Sequence, residues 1–331
     1  MGMIIGVDVG NNDTKTRNTS TVSGYTAYDN EQLLAEKVLA YGGKYYIENI
    51  DERFPYVEDK TDNEQALILT LFGIAKEIIY RIRNDKNIAG NLQAEINNIQ
   101  HINLAIGLPP GHFNKLARKT IDFYMAVMSK GITFTYAGYK FSFKVDAVRA
   151  YAQGLTAVLT KPGLSITDKE SGIRKYYIVD IGGYTADVLT MVFDENEKNW
   201  KPENNCRSLP LGTRPMHEMI ISRLQASAGI TLDERSIEDV LRDKKIFLKD
   251  EVKNEVKSNA KLFAEQLIDR CIQAGCSFDR FPIVFVGGGS LLLKEHLSEN
   301  KKICFSEFID DVRSNASSYE DCMGLEPGLR K

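Results

Sequence analysis

The chain has 331 residues, enough for two domains that each bury a core. With 43% hydrophobic and 26% charged residues it has an ordinary soluble composition, and a formal net charge of -3 gives no electrostatic ground for direct binding to nucleic acid or to an anionic membrane. Cys206, Cys271, Cys276, Cys304 and Cys322 are scattered without CxxC spacing, which argues against a zinc site and a disulfide framework; with no basic leader and no membrane-spanning apolar run, the expectation is a soluble, unprocessed, cytoplasmic protein.

In chain order, the run Ile4 to Val9 reads as a strand ending in an Asp-Val-Gly turn. SGYTAY (23–28) and YGGKYYIEN (41–49) alternate polar and apolar residues between turn formers, which predicts a small group of antiparallel strands. In DNEQALILTLFGIAKEIIYRIRND (62–85), the spacing of Leu67, Leu71, Ile74 and Ile78 predicts a long amphipathic helix with Asp62 or Asn63 as N-cap. INLAIGLPP (102–110) is a buried-type strand stopped by prolines, and a second helix follows from about Phe113 to Met128. GITFTYAGYKFSFKVDAVRAY (131–151) alternates with period two around Ala137-Gly138, a hairpin whose second strand leads to a helix near Gln153 to Leu159. The turn-rich, charged TKPGLSITDKESGIRK (160–175) marks a domain crossover.

Beyond it, a strand from Tyr176 to Asp180 leads into a hairpin through Val188 to Val192. LPLGTRPMHEMIISRL (209–224) turns into a helix with Pro215 at its first position. Asp233 to Leu262 is charged and helical, and a helix from Val252 to about Cys271 carries Val256, Phe263 and Leu267 on one stripe. FPIVFVGGGSLLLKEHL (281–297) is a buried strand, a triple glycine and a helix.

One module occurs twice. IIGVDVGNNDTKT (4–16) and YYIVDIGGYTADVLTM (176–191) each run from an apolar strand through Asp, one apolar residue and Gly into a polar turn and Thr. Such turns present main-chain N–H groups to a polyphosphate with no side chain in the way. Mg²⁺ takes oxygen ligands, usually one or two carboxylates with phosphates and water, so Asp8 and Asp180 at the strand ends are the candidate metal ligands around one nucleotide. Lys15 is placed to reach a β- or γ-phosphate. Either turn alone reads equally well as a tight strand connection; the recurrence favours phosphate binding. Gly287, Gly288 and Gly289 lack the basic residue of a P-loop and instead suit close approach of a base or an α-phosphate.

The order DVGNNDTK, VRAYAQGLTAVL, DIGGYTAD and VGGGS resembles the actin-like ATPase superfamily, and AIGLPP with the ending VRSNASSYEDCMGL is most similar to the ParM/StbA plasmid-segregation actins. The resemblance implies an α/β actin-like (ribonuclease H-like) duplicated two-domain fold with a nucleotide cleft between domains. Its domains would be 1–160, with about 306–331 packing back on it, and 161–305. It implies that Asp8, Gly10, Asn12, Thr14 and Lys15 hold β- and γ-phosphates, that Asp180, Gly182, Gly183, Tyr184 and Thr185 close on them, and that both aspartates orient Mg²⁺. Gln153 is matched to the residue that positions the attacking water, with Asp146 the alternative. Gly212, Arg242 and Asp243, the last two on the charged helix, fall where the family contacts nucleotide and ribose.

The implied activity is hydrolysis of ATP, with GTP also admitted, by in-line attack of water, coupled to polymerisation of the chain into filaments for plasmid DNA segregation. The acidic balance implies a separate DNA-binding adaptor rather than direct contact with DNA. The alternatives are a non-filament actin-fold ATPase or a small-molecule kinase, and a protein whose glycine turns are structural and bind no nucleotide.

Overall fold

The structure is a computed structural model in which residues 2–87, 90–168, 171–203 and 206–329 are described. The chain divides into two compact units, Met1–Thr160 with Arg313–Lys331, and Lys161–Val312. The segment that returns to the first unit therefore begins at Arg313 and not near residue 306, because Ser306–Phe308 pairs as a strand within the second unit.

Among the described residues of the first unit, β1 (Met3–Val9), β2 (Asp13–Lys15), β3 (Ser20–Val22), β4 (Gly24–Tyr28), β5 (Val38–Tyr41), β6 (Lys44–Arg53), β7 (His101–Leu108), β8 (Ile132–Tyr136) and β9 (Tyr139–Ala152) form one sheet in the order β3-β2-β1-β7-β9-β8-β5-β6-β4. β1 is antiparallel to β2 and parallel to β7, which is parallel to β9. Ile4, Ile5 and Val7 are buried on both faces of β1, the signature of a parallel strand covered on both sides. Helix α1 (Gln65–Asn84) buries Leu67, Leu71, Ile74 and Ile78 in the same core as Ile5 and Val7. Its N-cap is Glu64, without a side-chain cap, and not Asp62 or Asn63. Asp62 is drawn into a short 3-10 turn, Lys60–Asp62, that Asp59 caps, and the Asn63 side chain accepts from Gln65 N–H at 2.9 Å.

Short α2 (Leu92–Asn98) precedes β7, and α3 (Phe113–Met128) has the predicted bounds. Ala137 and Gly138 both have positive φ, 50° and 80°, as a two-residue hairpin turn between β8 and β9 requires. α4 (Leu155–Thr160) follows β9.

In the second unit β10 (Lys175–Ile181), β11 (Ala186–Asp194), β12 (Asn199–Pro202), β13 (Arg207–Leu209), β14 (Ile283–Val286) and β15 (Ser306–Phe308) form a sheet ordered β12-β11-β10-β14-β15, with β13 also on β11. β10 is antiparallel to β11 and parallel to β14, and β14 is parallel to β15. This repeats the order and sense of β3-β2-β1-β7-β9, so the sequence repeat is the start of a repeated sheet.

α5 (Thr213–Ala228) takes Gly212 as N-cap, which makes Pro215 its third residue and not its first; the missing N–H still falls in the first turn, where it has no helical acceptor. The charged segment is two helices, α6 (Glu234–Leu241) and α7 (Asp250–Gln273), and Val256, Phe263 and Leu267 of α7 are buried. The triple glycine opens α8 (Gly288–Leu292), with α9 (Lys294–Ser298) after it. Back in the first unit, α10 (Ser314–Leu325) packs Tyr319 and Met323 against Ile4 and Ala105. No helix among the described residues is long and apolar enough to cross a membrane.

Candidate functional site

In the first unit the site grows from the β1–β2 hairpin. The register pairs Asp8 with Lys15 and Val9 with Thr14, so Lys15 stands on the Asp8 side of the hairpin. Thr14 falls on the other face, where it is buried and its hydroxyl lies 3.0 Å from Ser23 Oγ. Its side chain is committed to the core. Gly10 N–H turns back to Asp8 O at 3.0 Å, and the Asn12 carbonyl accepts from Ser23 N–H at 2.9 Å, which fixes the turn between them.

Gln153, one residue past β9, arrives beside this turn because β9 runs parallel to β7 to its end. Its main-chain N–H donates to Leu108 O at 2.9 Å, and its Nε2 donates to Asp8 Oδ1 at 2.8 Å. Asp146 lies seven residues earlier on the same strand, about 23 Å away at the usual strand rise, and there pairs with His101 at 2.8 Å. The structure joins Gln153 to Asp8 and leaves Asp146 in the middle of the strand.

One residue near this turn carries no sequence signal. Lys60 donates from Nζ to the Val9 carbonyl, and burial pulls its ammonium down to about 8, with the Asp8 charge pulling the other way.

In the second unit, three glycine segments distant in sequence meet at the turn that follows Asp180. Gly212 N–H donates to Tyr184 O at 2.9 Å, Thr213 N–H to Gly182 O at 3.0 Å, and Arg214 N–H to Gly183 O at 2.8 Å, so the first residues of α5 are docked on the 182–184 turn. A Cβ at Gly212 would stand 2.5 Å from the Tyr184 carbonyl carbon. Gly287 has φ +89°, and a Cβ there would meet Asp180 Oδ1 at 2.4 Å and Ile181 O at 2.6 Å. Only glycine lets the one main chain come so close to the turn and the other so close to the carboxylate.

The Tyr184 ring is held under Arg214, whose guanidinium lies 4.9 Å from the ring centroid and donates to the phenol oxygen at 2.9 Å. Thr185, half-buried just before β11, hydrogen-bonds the buried Asp187. Burial lifts the Asp187 carboxyl to about 7; bonds from Ser208 and Thr185 oppose the rise, and the Asp180 charge adds to it.

Arg242 and Asp243 are not on the helix: Arg242 is the C-cap of α6, and Asp243 has a left-handed φ of 53° and pairs with Lys257 at 2.6 Å. With Leu291, Lys294 and His296 they line an open cavity of about 380 Å³. The volume falls within the range of small-ligand pockets.

Among the described residues no group of three or more His, Cys, Asp and Glu side chains could hold a metal ion. Asp8 and Asp180, buried at strand ends, offer single oxygen donors, which suits Mg²⁺ bound mostly by phosphate and water. Sequence reasoning missed Lys60, Arg214 and Asp187. Arg214, two residues past Gly212, was within reach of the motif; the other two depend on long-range packing.

Residues 178–299 match the family model for the archaeal actin homologue MreB-like protein, C-terminal part, a span that contains the Asp180 turn, Gly212 and the triple glycine. No curated protein matches the sequence. The chain is similar in structure to ParM of Clostridium botulinum, solved as a 15-stranded filament, at 18% identity over 97% of this chain and 99% of that one, with a TM-score of 0.69. It is also similar to the archaeal actin homologue Ta0583 in complex with ADP, at 18% identity over 98% of this chain and 100% of that one, TM-score 0.71. Bacillus thuringiensis ParM with AMPPNP shares 14% identity over 97% of this chain and 98% of its own, TM-score 0.64. At these identities the likeness establishes the fold.

Proposed function

From an actin-like fold, we propose that this chain is a nucleoside triphosphatase that binds one Mg-nucleotide per chain, hydrolyses it by in-line attack of water, and uses its nucleotide state to control assembly into filaments that segregate plasmid DNA. The observation that carries the reading is that Gly212 and Gly287 both close on the turn after Asp180, Gly212 against the main chain of Gly183 and Tyr184 and Gly287 against the Asp180 carboxylate, at positions where a side chain would collide. A merely tight strand connection does not require two further glycine segments closed on the same turn.

In this reading Asn12 and Gly183 give main-chain donors to phosphate oxygens, Gly10 and Gly182 hold the two turns in shape through their own N–H bonds to Asp8 O and Thr185 O, and Lys15 adds a point charge on the Asp8 side of its hairpin. Asp8 and Asp180 hold Mg²⁺, which when bound neutralises charge on the phosphates. Gly288 and Gly289 bring the main chain of α8 close to the nucleoside, with Arg242 and Asp243 beside the ribose. Gln153 donates its amide to Asp8, which leaves Oε1 as an acceptor that orients a water toward the γ-phosphorus. An amide is no base, so the role of Gln153 is orientation, not proton abstraction.

The ParM filament and the ADP complex of Ta0583 are properties of those proteins; they support the extension of assembly and nucleotide binding to this chain. The net charge of -3 supports a separate adaptor as the DNA-binding component. The test is light scattering with parallel pelleting on addition of Mg-ATP, Mg-GTP, Mg-ADP or no nucleotide across a protein concentration series. A triphosphate-dependent rise above a threshold concentration, decaying as phosphate is released, is expected. Hydrolysis with flat scattering at every concentration would contradict the filament component and favour a non-filament ATPase or kinase.

A further inference from the structure

Lys60 belongs to none of the sequence motifs, and its surroundings are unusual for a lysine. The side chain is half-buried, its ammonium donates to the neutral Val9 carbonyl, and no carboxylate stands within ion-pair distance of it among the described residues. Its acidic neighbours are engaged elsewhere: Glu58 with Lys115 at 2.9 Å and His112 at 3.2 Å, Asp59 with Lys119 at 2.6 Å and with the main chain of Thr61, and Asp62 with Lys119 at 2.7 Å. Asp8 acts on it only through space, its Oδ1 occupied by the Gln153 amide.

The Lys60 side chain also lines a small, mostly apolar cavity of about 30 Å³ that Gly10, Asn11 and Ser23 border beside Phe54, Val57 and Leu69. That is the room of about one water or one phosphate oxygen. A desolvated ammonium with a single neutral acceptor is costly, and the cost is offset where an anion supplies the missing acceptor. An ammonium has three donors, so two remain for such a ligand.

We propose that Lys60 is an anion-binding residue of the first turn, its ammonium taking a phosphate oxygen of the nucleotide held at Gly10 to Asn12. The proposal rests on the phosphate role given to that turn above. It adds to the site a cation that reaches the turn from the segment before α1, on the Val9–Gly10 side of the hairpin, and so is distinct from Lys15 on β2.

The experiment compares wild type, Lys60→Met and Lys60→Arg by thermal unfolding without nucleotide and by equilibrium binding of Mg-ATP and inorganic tripolyphosphate. Methionine keeps the apolar stem and removes the charge, so the nucleotide-free variant is expected to melt at the wild-type temperature or above. Kd for both ligands should rise about tenfold or more, and Lys60→Arg should recover most of the loss. A merely structural lysine predicts the opposite pattern, a lower melting temperature with unchanged affinity, and that result overturns the proposal. Wild-type binding with unaltered Lys60→Met affinity sinks Lys60 alone, whereas a wild type that binds neither ligand removes the phosphate role of the whole turn.

Discussion

Replacing Gly212 by alanine tests whether the second glycine cradle is held by close main-chain contact. A Cβ there would lie 2.5 Å from the Tyr184 carbonyl carbon and 2.6 Å from Gly183, about 1 Å inside ordinary contact. φ at Gly212 is -89°, so backbone strain contributes nothing and the whole effect is steric. Relief requires α5 to retreat from the turn, which weakens the bonds from Gly212, Thr213 and Arg214 N–H. At about 1 kcal/mol net for each bond, the expected loss is about 2 to 4 kcal/mol.

Trp200 is the sole tryptophan and sits on β12, so its fluorescence follows unfolding of the second unit during urea titration. Gly229→Ala is the control: φ there is +66° with no heavy atom within 4 Å of a built Cβ, so only left-handed strain of about 1 kcal/mol is expected. The reasoning is refuted if Gly212→Ala costs less than its control.

Gln153→Ala should leave nucleotide affinity near wild type and slow single-turnover hydrolysis on the order of 10²-fold, while Asp146→Ala should change neither; a wild-type rate in Gln153→Ala removes the water-positioning role. The raised pKa of Asp187 predicts a pH dependence of stability with a definite sign. Between the ordinary aspartate value of about 4 and the folded value of about 7, the folded state holds a proton that the unfolded state has lost, so stability falls as pH rises through this window, by up to about 1.4 kcal/mol per unit, and levels off above it. Asp187→Asn should abolish that slope and be the more stable protein at pH 8, as read from urea unfolding at pH 5 to 8; a variant with the wild-type slope would assign the dependence to another group.

Much of this was legible in the sequence because it is local. Strand periodicity and the Ala137-Gly138 turn fixed the β8–β9 hairpin, and the apolar spacing of α1 located its buried face. The link from Gln153 to Asp8 was available only through the resemblance, since nothing in the spacing of residues 145 apart brings them together; the structure does so through the parallel β7–β9 pairing. What escaped was set by register and packing. Thr14 and Thr185 each follow a turn, and their hydroxyls have partners that the sequence does not mark, Ser23 for Thr14 and Asp187 for Thr185. Lys60 lies in a polar segment whose other charges are exposed and paired, so no pattern distinguishes it. Arg242 and Asp243 lost their helical setting because the chain stops α6 there, a boundary that charged composition does not mark.

The central claim is that the two aspartate turns together bind a single Mg-nucleotide. Calorimetric titration of Mg-ATP into wild type, Asp8→Asn, Asp180→Asn and the double variant tests it most directly. The account predicts one site per chain in wild type, a large loss of affinity in each single variant, loss of the Mg²⁺ dependence, and a double variant little worse than either single one. Two sites per chain, or losses that simply add, would contradict it.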